Sequence, residues 1–158
     1  MAKTVFHRWI HDPAVFPHLV SLYPPLLGSG IRVPRVSRDW TEGTVTMRVR
    51  PWTANAHGAA FGGSLFSATD ILYGMMLAAQ LGKGFEVWTK TASIDFVNPG
   101  RGKLTLRVQV TPEEVASIRE RAAREGGRTD AQHVAVIVDE SGETVATAHH
   151  TMRVRMRR

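Results

Sequence analysis

The sequence predicts a single α+β domain in which antiparallel strands surround one buried helix. Residues 44–50 and 104–110 alternate apolar and polar side chains, the pattern of half-buried strands. Residues 133–139 and 144–156 flank the turn-like Glu140-Ser141-Gly142-Glu143 and read as a hairpin. Between these groups, residues 56–82 carry one charged side chain, Asp70, in a run apolar enough to be buried nearly all round. Segregated antiparallel strands with one engulfed helix make an α+β domain.

Each element has its own local signal. In the N-terminal arm, residues 1–30, Asp12 is placed to cap a helix with Pro13 at its first position, unless the helix starts at Pro17. Pro24 and Pro25 break or bend it, and Gly28-Ser29-Gly30 turns the chain. Residues 31–36 form a short strand that Pro34 confines to a sheet edge. The central helix spans 60–81, bounded by Gly62-Gly63 and Gly82. A long strand over 85–98 stops at Asn98-Pro99-Gly100. Thr111-Pro112-Glu113-Glu114 is a capping box for a surface helix that ends at Gly126-Gly127.

Composition narrows the function classes. With 158 residues and no repeat or linker, one domain spans 1–158. At 43% hydrophobic and 22% charged, the chain is neither disordered nor fibrous. There is no cysteine, which excludes disulfides, thiolate nucleophiles and cysteine-bound zinc, and fits a cytoplasmic location. Residues 1–8 lack the apolar stretch of a signal peptide. A transmembrane reading of 58–82 fails because a central aspartate costs about 2.5–3.5 kcal/mol on insertion scales. The net charge of +6 suits an anionic partner, yet no nucleic-acid-reading motif accompanies it. Arg153, Arg155 and Arg157 share one face of the last strand, either as a solvated face or as a surface for phosphates. His7 and His11 have the spacing of a metal pair without a third ligand, so no metal is expected. His149 and His150 are strand neighbours and face opposite ways.

Asp70 is the sharpest chemical feature. On a helical wheel, Gly63, Ser67, Asp70 and Gly74 fall within about 60° of one another. The carboxylate therefore lies in a row of small residues. It is either a solvated side chain on the one wet face of a core helix or a carboxylate in an apolar cleft. In a cleft, desolvation raises its pKa and suits it to general-base or nucleophilic work. Ahead of it, the paired glycines expose backbone N–H groups at a helix start, where the helix dipole helps polarise a carbonyl oxygen. Tight packing or a turn is the alternative use of those glycines.

The string Asn55-x-x-Gly58-x-x-Phe61-Gly62-Gly63, followed by Leu65-Phe66 and by Asp70 seven residues after Gly63, resembles the signature of hotdog-fold thioesterases. The similarity is to the PaaI-like, phenylacetate-pathway branch. Residues 94–100, Ile-Asp-Phe-Val-Asn-Pro-Gly, resemble the strand and turn after the hotdog helix. The resemblance covers roughly residues 40–157.

It implies a curved sheet wrapped around the central helix, pairing as a homodimer and often again as a homotetramer. It implies acyl-CoA thioester hydrolysis at the dimer interface, with coenzyme A as part of the substrate and no separate cofactor. The amides of Gly62 and Gly63 would hold the thioester carbonyl. Asp70 would come from the partner subunit as base or nucleophile, and Asn55 would orient the carbonyl or water. Ser67 would bond the attacking water. Phe61, Leu65 and Phe66 would contact the acyl group, and Arg101 would lie near the nucleotide. Phe61 replaces the usual histidine and cannot donate or accept as imidazole does. That departure keeps open a non-catalytic hotdog module that binds acyl-CoA or a related ligand.

Overall fold

Strand pairing in the computed structural model, which describes residues 11–157, joins six antiparallel strands in the order β1-β2-β4-β5-β6-β3. The strands are β1 Ile31–Val36, β2 Glu42–Arg48, β3 Phe85–Phe96, β4 Lys103–Gln109, β5 Arg128–Val138 and β6 Thr144–Met156. The helices are α1 Phe16–Ser21, α2 Pro24–Gly28, α3 Gly62–Asp70, α4 Leu72–Leu81 and α5 Pro112–Arg124. This is the expected α+β hotdog architecture, a curved sheet around a central helical segment.

The alternation in β2 and β4 does what the sequence requires. Val45, Met47, Leu104, Leu106 and Val108 are buried beneath the helices. Gly43 lets α4 approach the sheet closely, because a Cβ there would lie 2.7 Å from Leu72 Cδ1. Pro34 sits in a register shift on the edge strand β1, where its missing N–H costs no ladder bond. Thr111 caps α5 by accepting from the Glu114 amide. The capping box closes only halfway, since the Glu114 carboxylate instead accepts from the Tyr73 hydroxyl at 2.5 Å.

Three elements differ from expectation. The arm holds two short helices: α1 starts at Phe16 with Pro17 in its first turn, and α2 starts at Pro24. The prolines begin the second helix as much as they end the first. Asp12 accepts from the Ala14 amide and shapes the approach to α1. Residues 1–10 of the arm, including His7, lie outside the described residues.

The central helix starts at Gly62 and is interrupted at Ile71, whose φ of −74° and ψ of −50° remain helical. Ser67 donates to the Gly63 carbonyl at 2.8 Å and Thr69 to the Phe66 carbonyl at 2.8 Å. Hydroxyls that bond back along a helix bend it. The strand β5 starts at Arg128, earlier than the apolar run at 133, because Asp130 points outward and pairs with Lys90 and Arg153. No helix among the described residues is long and apolar enough to cross a membrane.

Candidate active site

The start of α3 is built to leave amides free. Phe61, in extended conformation at φ −67° and ψ 128°, precedes the helix and provides no side-chain cap. Its carbonyl accepts from the amides of Ser64 and Leu65. The amides of Gly62 and Gly63 donate no hydrogen bond among the described residues. They are orphan donors at the positive end of the helix dipole. Aromatic rings take the space that side chains would occupy. A Cβ on Gly62 would meet Phe96 Cζ at 2.9 Å, and one on Gly63 would meet Phe61 Cε1 at 2.6 Å.

The loop before α3 is held by its own polar groups. Asn55 Oδ1 accepts from the amides of His57 and Ala59, and its Nδ2 donates to the Ala60 carbonyl. Arg101 donates to the carbonyls of Gly58 and His57 at 2.9 and 3.2 Å. In the single chain both side chains shape the loop that presents Gly62 and Gly63.

Asp70 ends α3 and faces β3. Its side chain is 55% exposed in the isolated chain. Thr89 donates to Asp70 Oδ1 at 2.7 Å. Behind the carboxylate lies His150, only 2% exposed, with Nδ1 3.8 Å from Asp70 Oδ1. Its Nε2 is 3.0 Å from Thr69 Oγ1. Burial pushes the His150 imidazole below its ordinary range, and the Asp70 carboxylate works against that shift. Phe66 stacks on His150 with ring centroids 6.0 Å apart. On the neighbouring strand β5, His133 pairs in register with His150 and stacks on Tyr73 at 4.0 Å. Burial lowers His133 to about 4, and its Nε2 has no hydrogen-bond partner among the described residues.

The expected residues thus separate into groups. Gly62, Gly63 and Phe61 meet at one end of α3; Asp70 stands at the other with Thr89, His150 and Phe66. Gly63 and Asp70 share a face but lie about 10 Å apart at about 1.5 Å rise per residue. Phe61, read first as a core aromatic or an acyl contact, is 57% exposed. Leu65 is buried in the core instead, beside a void of about 10 Å³. Ser67 is turned to its own helix. Sequence reasoning missed Thr89 and His150, because nothing local in a strand announces a contact to a helix made only by folding. Arg153 pairs with Asp130, and Arg155 and Arg157 pair with Glu86, as a solvated outer face requires.

A family model for a domain of unknown function, DUF4442, matches residues 14–154. The chain belongs to the DUF4442 family. No curated protein matches this DUF4442 chain. Its fold is that of several solved structures. One is a protein of unknown function and probable thioesterase from Pseudomonas aeruginosa, 21% identical with a TM-score of 0.78 over 89% of this chain and 93% of that one. Another is the E. coli PaaI protein from the phenylacetic acid degradation operon, 22% identical with a TM-score of 0.63 over 89% of both chains. A thioesterase from Haemophilus influenzae is 16% identical with a TM-score of 0.65 over 91% of this chain and 90% of that one. The DUF4442 chain therefore shares the hotdog fold of PaaI-like thioesterases.

Proposed function

We propose that this protein hydrolyses acyl-CoA or similar thioesters at a site completed by a second copy of the chain. The observation that carries the proposal is the division of labour along α3. Free amides stand at Gly62 and Gly63, and a carboxylate stands at Asp70 on the same face. A reacting carbon must lie about 3 Å from both its oxyanion donors and its nucleophile. One helix with its groups about 10 Å apart cannot provide that. Two helices running antiparallel across a two-fold axis bring one copy's amides to the other copy's carboxylate.

The open edge of β3 favours such pairing. Among the described residues β3 bonds to β6 on one side only, and it exposes Trp88, Phe96 and the adjoining Val97. An unpaired strand with apolar neighbours is a template for a partner strand. Pairing there would also shield Asp70 and complete an apolar wall from Phe61 and Phe96. A homodimer is the minimum unit, and a homotetramer is compatible with it. Coenzyme A enters as part of the substrate, and the absence of cysteine fits cytoplasmic work.

In this reading the Gly62 and Gly63 amides receive the negative charge that develops on the thioester oxygen. The Asp70 carboxylate takes a proton from water as the water oxygen bonds to the carbonyl carbon. Collapse of the intermediate breaks the C–S bond, and the thiolate leaves with that proton. Asn55 and Arg101 hold the amide-bearing loop, Phe61 and Phe66 border the acyl group, and Ser67 lies one turn before the base.

The test is a panel of short, long and aromatic acyl-CoA thioesters assayed with the parent and Asp70→Asn. General-base loss predicts a fall of about 10²–10⁴ in kcat. Equal turnover by Asp70→Asn refutes the mechanism. Stoichiometric binding of intact acyl-CoA with no turnover would point to a binding module instead.

A further inference from the structure

Thr69 decides how the buried His150 carries its proton. A threonine hydroxyl has one hydrogen, and that of Thr69 is directed to the Phe66 carbonyl at 2.8 Å. The Thr69 oxygen is then left as an acceptor toward His150 Nε2 at 3.0 Å. With the hydroxyl so directed, the neutral ring would hold its hydrogen on Nε2. Its other nitrogen, Nδ1, 3.8 Å from Asp70 Oδ1, would then present a bare lone pair. Thr89, on the other side, gives its hydroxyl to the same carboxylate oxygen.

We propose that His150 is a positioning residue for Asp70, a buried imidazole held in its Nε2–H form by Thr69 so that Nδ1 and the carboxylate take up their first proton as a pair. The inference rests on the thioesterase reading for its kinetic consequence but not for its geometry. With both groups unprotonated, a lone pair faces a carboxylate and leaves it ready to accept from water. With one proton added, the pair closes on it, and Asp70 is withdrawn as a base. Two interacting groups titrate as a pair, and the Asp70 carboxylate favours the charged imidazole against the burial that disfavours it. The titratable groups facing His150 are Asp70 from α3 and His133 across β5, with His149 next along β6. The β3 residue opposite, Ala92, does not titrate.

Two measurements test this, one of them independent of turnover. In protein labelled with ¹⁵N at histidine, the imidazole spectrum of His150 is expected to show the neutral Nε2–H form. Asp70→Asn, at a half-exposed position, should lower the pH midpoint of His150 protonation by about one unit, as loss of a nearby opposite charge does. The second measurement uses His150→Gln, which keeps an N–H for Thr69 but removes the titrating nitrogen. Its kcat/KM profile should move its acid limb to lower pH, whereas a purely structural role would change yield or melting and leave that midpoint in place. An Nδ1–H form, or a His150 midpoint unmoved by Asp70→Asn, overturns the proposal. Absence of turnover in every thioester assay refutes the thioesterase reading alone, and the spectrum still decides the role of His150.

Discussion

Thr89, on the open strand β3, donates its hydroxyl to the carboxylate of Asp70 at 2.7 Å. The same oxygen lies 3.5 Å from Met152 Sδ, but one hydrogen serves the shorter, charge-assisted bond. The contact fixes one carboxylate oxygen and leaves the other for a reactant. It also links the end of α3 to the edge at which a second copy would pair.

Replacing Thr89 by Val should therefore lower kcat by about tenfold to a hundredfold, since hydrogen bonds to charged groups contribute about 1.5–3 kcal/mol. Thr89→Ser keeps the donor and should stay close to the parent. Steady-state kinetics across pH distinguishes these outcomes. Equal rates for the Val and Ser variants would remove Thr89 from the account.

Folding stability should fall as the solution is acidified from above pH 6.5 toward pH 4. His133 is lowered by burial to about 4, against an ordinary value of 6.5. Between those values the unfolded chain binds a proton that the folded chain refuses. The stabilisation is complete above the unfolded value and is lost as pH falls through the folded one. A shift of this size is worth about 3 kcal/mol. Burial lowers His150 in the same direction, so its loss falls in the same acidic window. Urea titrations at pH 7 and pH 4.5 should show the difference. His133→Phe, which keeps a ring against Tyr73 and removes the unpartnered nitrogen, should flatten it.

Gly43→Ala should destabilise without touching the site. The added Cβ would stand 2.7 Å from Leu72 Cδ1 and 3.2 Å from Met76 Sδ, both on α4 and both in the core. Overpacking of this kind costs about 1–3 kcal/mol. For a chain of this length that lowers the melting temperature by about 2–4 °C per kcal/mol. Combining it with Leu72→Ala should give a loss smaller than the sum of the two, because one change makes the room the other needs. Calorimetry on the four proteins measures that coupling.

These tests also show which features a linear sequence reveals. The strands β2 and β4 are readable because one face is apolar and the other polar. The cap at Thr111 is readable because its partner amide is three residues away. Asp70 is conspicuous as the lone charge in an apolar run. His150 and Thr89 are not, since their contacts with α3 span 81 and 19 residues. Glu114 looks like half of a capping box, yet its carboxylate accepts from the hydroxyl of Tyr73, 41 residues away. The first half of β5 looks like loop because its outward Asp130 is charged, and only Arg153 and Lys90 across the sheet explain it.

Complementation between two inactive variants tests the shared site most directly. Asp70→Asn removes the carboxylate but keeps the amides. Gly63→Val keeps the carboxylate and crowds the amides with a branched side chain, where even a Cβ meets the Phe61 ring. That ring is exposed at the surface and can swing aside, so the variant should fold. If each site joins one copy's amides to the other copy's Asp70, a mixed dimer has one site with both defects and one with neither. Statistical mixing makes half the dimers mixed, so refolding the variants together should recover about a quarter of parental activity in a two-fold dimer. If each site were built within one chain, every site would carry one defect and the mixture would stay inactive. Light scattering should give a mass near twice the 17.5 kDa chain for the parent and both variants. Failure of the mixture to regain activity while that dimer forms would refute a site shared between the two copies.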